Sequence, residues 1–213
     1  MSDQDKTLAL LARADLCRFL AACYYEPSPE FAEEKLFDSM GVAARRMDPE
    51  LAAAVGRLGA AFAAEDPQEL LIDYTRLFLG PVKALVSPYA SVWLEREKTL
   101  MQESTMAVVA LYEEGGFEID ENFRDLPDHI AAELEFLYLL NFRALSAELE
   151  GDAAAGAAVA DLRQRFLADH LARWVAPFTA AAAAHAQSAF YRELAGITAL
   201  WVAREAAQEA AHA

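Results

Sequence analysis

The residues best suited to chemistry in this sequence stand close together, at Asp128, His129 and Glu133. An aspartate beside a histidine combines an anion with a side chain that titrates near neutral pH. His129 and Glu133 are four residues apart, so in a helix they share one face and have the spacing of two metal ligands. The chain holds only four histidines and no second pair of this kind, which disfavours a metal site. Two interpretations stay open, namely a recognition site and an aspartate that only caps a helix.

These polar residues stand at the start of a stretch, residues 126–140, that predicts a long and largely buried helix. Its apolar residues recur every three or four positions, as on one helical face, and further apolar residues occupy a second side. Either Asp125 or Asp128 is expected to accept hydrogen bonds from the free backbone amides of the first turn. Pro127 suits that turn because it has no N–H to leave unpaired. The candidate site is therefore expected where a helix emerges from a loop.

The rest of the chain predicts helices as well. Three helix starts share one pattern, in which a capping residue directly precedes a proline: Ser28-Pro29, Asp48-Pro49 and Asp66-Pro67. The two-residue alternation that is typical of strands is absent. We predict an all-α protein of about eight to ten helices, folded as a single domain over residues 1–213.

The helix that starts at Asp66 is expected to end at Gly80-Pro81, because glycine accepts a positive φ and proline cannot continue the helix. The loop that follows, residues 80–91, is longer than most connections in a helical bundle. It carries apolar residues, so we expect it to pack over the core or to line a groove. It would also be the natural hinge if two halves of the chain separated.

Ser91 is expected to cap a helix that continues to Gly115-Gly116, with Leu100 and Met101 on its apolar face. A kink or break is expected at Pro177, because proline removes one hydrogen bond from a continuous helix.

The net charge of −16 comes from 34 acidic and 18 basic side chains. Such a charge disfavours nucleic acid and anionic membrane surfaces as partners, because both are negatively charged. It permits a cationic partner.

No apolar run reaches the roughly 18 residues of a membrane span, and the acidic N-terminus does not resemble a secretory leader. A cytoplasmic location is the default expectation. Cys17 and Cys23 lie about 240° apart around one predicted helix, so a disulfide between them is implausible and burial is expected.

Three segments, taken in order, resemble the TorD/DmsD family. The first is Tyr-Thr-Arg-Leu-Phe-Leu-Gly-Pro at residues 74–81, followed by Pro-Tyr-Ala-Ser-Val-Trp at residues 88–93. The second is the aspartate–histidine pair described above. The third is Phe-Leu-Ala-Asp-His-Leu-Ala-Arg-Trp at residues 166–174. Each segment is weak alone, but the three in the expected order are specific.

The resemblance implies a TorD-like all-helical fold and a cytoplasmic chaperone that is not an enzyme. Its partner would be the catalytic subunit of an exported molybdenum-cofactor oxidoreductase, bound through its twin-arginine leader or its body. The chaperone would withhold that subunit from export until the cofactor is inserted. The protein would be a monomer or a dimer that exchanges halves. The residues implied in client binding are Tyr74, Pro88, Tyr89, Ser91, Trp93, Asp128, His129 and Glu133.

A twin-arginine leader offers two guanidinium groups followed by an apolar helical segment. The complementary site needs carboxylates beside a hydrophobic groove. Asp128 and Glu133 would supply the carboxylates, with Tyr89 and Trp93 on the side of the loop.

Two other classes of function remain open. One is a helical scaffold without a metalloenzyme client. The other is a metal-dependent hydrolase, for which His129, His170 and His185 are too few and poorly spaced. No phosphate-binding loop and no nucleophile motif is present, so no cofactor is expected.

Overall fold

A computed structural model describes residues 3–80, 83–95, 100–120 and 123–210. These parts are helical and contain no strand, so the predicted all-α fold is confirmed. The helices are α1 (Asp3–Ala22), α2 (Glu30–Glu33), α3 (Leu36–Met47), α4 (Pro49–Ala64), α5 (Pro67–Tyr74), α6 (Ser91–Leu94), α7 (Glu103–Gly115), α8 (Ile130–Glu150), α9 (Ala153–Arg165), α10 (Ala172–His185) and α11 (Ala189–Ala210). Two π-helical segments extend α5 and join α9 to α10, at Thr75–Leu79 and Phe166–Leu171.

Helix α8 lies at the centre of the packing. It pairs closely with α1 and α9, while α11 packs against α10 and α4. The core contains large side chains from most helices, among them Phe136, Phe166, Trp174, Phe178 and Trp201, each at most 1% exposed. Burial of each such side chain contributes roughly 2–3 kcal/mol. The predicted burial of α8 is confirmed, because its first four residues are all buried.

The predicted capping side chain accepts a backbone amide at all three helix starts. The side chains of Asp48 and Asp66 each accept hydrogen bonds from two backbone amides, at the starts of α4 and α5. The Ser28 hydroxyl accepts one from the Glu30 amide at 3.2 Å, but α2 is a single turn and Lys35, with a φ of +53°, separates it from α3. This break lets Phe31 and Phe37 both pack on the ring of Phe62, at centroid distances of 5.8 and 4.9 Å.

The predicted helix from Ser91 to Gly115-Gly116 is wrong in its first half. Helix α6 ends at Leu94, and Ser91 makes no side-chain capping hydrogen bond. Met101 has a φ of +58°, which interrupts the chain before α7 begins. Leu100 and Met101 are 49% and 61% exposed, so neither is buried as expected. Residues 96–99 lie outside the described residues.

Of the kink or break predicted at Pro177, the break does not occur. Helix α10 continues through this proline, and the irregularity lies upstream in the π-helical segment. The ends at Gly80 and Gly116 are confirmed by their positive φ angles, +64° and +59°.

Cys17 and Cys23 are free and buried. Among the helices described, none is both long and apolar enough to cross a membrane.

Candidate functional site

The loop before α6 is joined to the start of α8 by backbone hydrogen bonds. Tyr89 and His129 form an isolated antiparallel bridge. On one side of it the Ala90 amide donates to the Asp128 carbonyl, and on the other the Ile130 amide donates to the Pro88 carbonyl, each at 2.9 Å. These bonds bring the first and second signature segments together, although 36 or more residues of chain separate them.

The side chain of Asp128 adds a bond of its own to this junction. Its Oδ2 accepts a hydrogen bond from the Ser91 amide at 2.9 Å, at the first residue of α6. Asp128 is fully buried, as is Ser91. The Asp128 Oδ1 and the Ser91 Oγ are buried without a hydrogen-bond partner. The carboxylate therefore fixes the loop against α8, and it faces protein rather than solvent.

His129, and neither Asp125 nor Asp128, caps α8. Its Nδ1 accepts a hydrogen bond from the Ala131 amide at 3.1 Å, which requires that nitrogen to be unprotonated. Burial lowers the pKa of His129 to about 4, against the opposing effect of the Asp125 and Asp128 carboxylates. The predicted aspartate cap is wrong because each of these aspartates bonds the preceding loop instead.

Glu133 lies one turn further along α8 and points into the core. Its Oε1 is 2.7 Å from His170 Nε2, and its Oε2 accepts from the Trp174 indole N–H at 2.9 Å. Burial raises the pKa of the Glu133 carboxyl. Burial lowers the pKa of His170, but the Glu133 carboxylate outweighs it, and the net pKa is raised. The second and third signature segments thus meet at a buried ion pair.

The side of this junction nearer to solvent carries tyrosine and aspartate. The Tyr89 hydroxyl donates to Asp125 Oδ1 at 2.6 Å, and both side chains are half-buried. Burial raises the pKa of Tyr89, and the hydrogen bond to Asp125 raises it further. Burial also raises the pKa of Tyr74 to about 12, with contributions from the charges of Asp125 and Glu26. The tyrosines and acids of this junction therefore lie within electrostatic range of one another.

A cavity of about 480 Å³ lies beside this junction. It is lined by Tyr25, Phe117, Glu118, Ile119, Asp120, Phe123, Ala132 and Glu135. The ring of Phe123 is 6.1 Å from that of His129, which connects the cavity to the signature residues. The Tyr25 hydroxyl donates to Glu135 Oε1 at 2.7 Å. Among the described residues, this lining contains three acidic side chains, several aromatic ones and no cation, and we call it the acidic cavity.

The remaining predicted residues lie around the loop. Pro88 is buried, and Tyr74 is 7% exposed with its ring 5.6 Å from that of Phe78. Trp93 is half-buried, and its indole N–H donates to the Ser87 carbonyl at 2.9 Å. The structure thus gathers the eight predicted residues around one junction, but it buries most of them and leaves Tyr89 and Trp93 half-exposed.

Sequence reasoning missed the acidic cavity. Its lining comes from Tyr25 just after α1, the connector after α7 and two residues of α8, so no local motif marks it. The high acidity of residues 117–125 was a signal that could have pointed to Glu118 and Asp120.

The described residues contain no group of three or more His, Cys, Asp or Glu side chains arranged to hold a metal ion. His129 and Glu133 do not form a pair, because Glu133 bonds His170.

Comparison with known proteins places these features in a family. A family profile described as nitrate reductase delta subunit matches residues 44–180, which is more than half of the chain. The Chaperone protein TorD of Vibrio vulnificus is 31% identical over 123 residues, covering 58% of this chain and 56% of that protein. The TorD of Salmonella arizonae is 29% identical over 187 residues, covering 88% and 74%.

Two further proteins resemble the chain. The Tat proofreading chaperone DmsD of Salmonella typhi is 32% identical over 81 residues, covering 38% of this chain and 40% of that protein. A crystal structure of a candidate redox enzyme maturation protein from Archaeoglobus fulgidus aligns over 92% of each chain, with 18% identity and a TM-score of 0.49. The alignments with the Vibrio relatives span little more than half of their length. From the profile match and these relatives, the chain belongs to the nitrate reductase delta subunit family, which includes the TorD and DmsD chaperones.

Proposed function

We propose that the protein is a chaperone for the maturation of a molybdenum-cofactor oxidoreductase. It binds the precursor of the catalytic subunit through its twin-arginine leader and withholds that subunit from export until the cofactor is inserted. It acts in the cytoplasm, where such precursors are made, and it performs no catalysis. The observation that carries the proposal is the acidic cavity beside the signature residues, in a chain that belongs to this family.

The chemistry of the acidic cavity suits a guanidinium group. Glu118, Asp120 and Glu135 offer carboxylates that form charge-assisted, bidentate hydrogen bonds with arginine. Phe123 and Tyr25 also line the cavity, where their rings pack edge to face with centroids 6.4 Å apart, and an aromatic face attracts a planar cation. A net charge of −16 attracts a dibasic segment and speeds its association at low salt.

The buried signature residues then act by position rather than by contact. Asp128, His129 and Glu133 are at most 3% exposed, so a leader cannot reach them while the loop stays closed. Asp128 holds the loop, His129 starts α8, and Glu133 ties α8 to His170. Together they fix Tyr89 and Trp93 at the surface, where both can touch a client.

The chaperone must release its client, so a useful affinity is on the order of micromolar, or about −8 kcal/mol. Exchange of halves through a hinge at residues 80–91 would form a dimer.

A tagged pull-down from the source organism, with partners identified by mass spectrometry, tests the proposal. We expect a molybdoenzyme precursor with an uncleaved leader. The double variant Asp125→Asn/Glu135→Gln should recover much less of it, because both side chains lie at or beside the acidic cavity. If the wild type and the double variant instead recovered equal amounts of a partner with neither a leader nor a cofactor, the protein would be a helical scaffold.

A further inference from the structure

A second cavity among the described residues is lined by none of the residues of the signature segments. It has a volume of about 970 Å³ and runs between α2, α3 and α4. Phe31, Phe37 and Phe62 line it and pack against one another. We call this cavity the α3–α4 groove.

Small residues keep the α3–α4 groove open along α4. They recur at Ala52, Gly56, Gly59, Ala60 and Ala63, on one face of the helix. The span from residue 52 to residue 63 is about 17 Å of helix. A volume of 970 Å³ lies at the upper end of the roughly 300–1,000 Å³ typical of small-ligand sites. The length of this face matches about three turns of a helix laid along the groove.

The charges on the two cavities differ. Lys35 and Arg45 balance Glu33 and Asp38 along the rim of the α3–α4 groove. The fifth charged residue, Glu65, accepts hydrogen bonds from the backbone amides at the start of α11. The groove therefore presents little net charge in a chain of net charge −16, which suits an uncharged and apolar occupant.

The groove begins next to the acidic cavity. Tyr25 lines the acidic cavity and Pro27 lines the α3–α4 groove, so the two linings are separated by two residue steps, at most about 7 Å of chain. We infer that the α3–α4 groove holds the apolar helical segment that directly follows the two arginines of a client leader. This inference rests on the proposed function, because it takes the arginines to lie in the acidic cavity.

Gly56 allows a direct test. A Cβ added at Gly56 meets no atom within 4 Å, so the variant Gly56→Trp fills the groove without a clash at its Cβ. Gly196 in α11 is a matched control, since a Cβ there also meets no atom within 4 Å and Gly196 does not line the groove. Both variants should fold, because tryptophan has a higher helix propensity than glycine.

Two labelled synthetic peptides serve as probes in anisotropy titrations. One carries two adjacent arginines followed by about 12 alanine and leucine residues, roughly 18 Å of helix. The other carries the same arginines followed by serine and glycine. We expect Gly56→Trp to weaken binding of the apolar peptide about tenfold and to leave the affinity for the serine–glycine peptide unchanged. Gly196→Trp should change neither.

Three results would overturn the inference. If Gly56→Trp bound the apolar peptide as tightly as the wild type, the groove would not hold it, while the proposed function would stand. If Gly56→Trp only converted a wild-type dimer into a monomer, the occupant would be a second copy of this chain. If the wild type bound neither peptide, the proposed leader recognition would fail together with the inference.

Discussion

The two ends of α8 both bury polar side chains, but they use them differently. At the N-terminal end, Asp128 and His129 bond backbone amides of the loop and of α8, and Glu133 bonds His170 and Trp174. Two buried atoms there, Asp128 Oδ1 and Ser91 Oγ, have no hydrogen-bond partner. Asp128 and His129 therefore hold a loop against a helix, and Glu133 also joins α8 to α10.

At the other end, the polar groups join helices to one another. Arg13 of α1 bonds Glu205 of α11 at 2.9 Å, and Arg163 of α9 pairs with Glu209. Arg163 also donates to Asn141 of α8 at 2.7 Å. Glu205 and Arg163 are 1% and 9% exposed, and this burial raises the pKa of Glu205 and lowers that of Arg163.

From this difference we expect the second end to contribute mainly to stability and the first end to contribute also to client recognition. The ion network at the second end holds four helices together and meets α8 at Asn141, about 9 Å along the helix from Glu135 of the acidic cavity. The junction at the first end positions the surface that we propose for the client. Substitutions at the second end should therefore lower the free energy of unfolding without changing peptide affinity. Substitutions at the first end should change both.

The largest effect is expected for Glu133→Leu. It leaves the His170 imidazole and the Trp174 indole N–H buried without their shared partner. We expect the free energy of unfolding to fall by about 4 kcal/mol, measured by urea denaturation, with weaker peptide binding by the remaining folded protein. A loss below about 1 kcal/mol would mean that this buried pair does not join the two segments.

Arg13→Leu should lower the free energy of unfolding by about 3 kcal/mol, because it leaves Glu205 buried and unpaired. The double variant Arg13→Leu/Glu205→Leu should recover most of this loss, since it removes both charges. Peptide affinity should not change in either variant. A changed affinity would show that the two ends of α8 are coupled.

His129 makes the first end sensitive to pH. Its pKa is about 4 in the folded protein and near 6.5 when unfolded, so the unfolded chain binds more protons between these values. Stability from His129 is therefore present above pH 6.5 and is lost as the pH falls towards 4. We expect a loss of about 2 kcal/mol between pH 6.5 and 4.5.

The variant His129→Asn isolates this effect, because asparagine caps a helix and does not titrate. Subtraction of its unfolding free energies from those of the wild type, measured over the same pH range, cancels the contributions of Glu133 and His170. A flat difference curve would contradict the assigned burial of His129.

Asp128→Asn should have the smallest effect on stability, about 1 kcal/mol, because asparagine still offers an oxygen to the Ser91 amide. Peptide binding should weaken severalfold as the loop loses its charge-assisted bond. Asp48→Asn is the matched control, since Asp48 also accepts backbone amides at a helix start, but far from the junction. Unchanged binding by Asp128→Asn would remove Asp128 from the client-binding set.

The parts of the fold that sequence predicted depend on local chemistry. Asp48 and Asp66 cap helices through amides two and three residues away, and Gly80 and Gly116 end them by their own φ angles. Each of these residues lies within a few residues of the helix end that it determines. The family could be recognised from sequence for the same reason, because each of its motifs is a short, continuous stretch of the chain.

The parts that sequence could not predict depend on distant partners. Glu133 meets His170 across 37 residues, and Arg13 meets Glu205 across 192. Lys35 and Met101 take positive φ angles that their residue types disfavour, so neither residue type signalled the break in the chain. The acidic cavity likewise draws on three separate segments, so its carboxylates carried no shared motif.

The central claim is that the arginines of a leader bind in the acidic cavity. Calorimetric titration of the arginine–apolar peptide into wild type, Glu135→Gln and Glu148→Gln tests it most directly. Glutamine keeps an oxygen for the Tyr25 hydroxyl, and Glu148 provides the same charge change on the same helix, paired with Lys6 at its far end. We predict about a tenfold weaker affinity for Glu135→Gln alone. Equal affinities for all three proteins would contradict the claim.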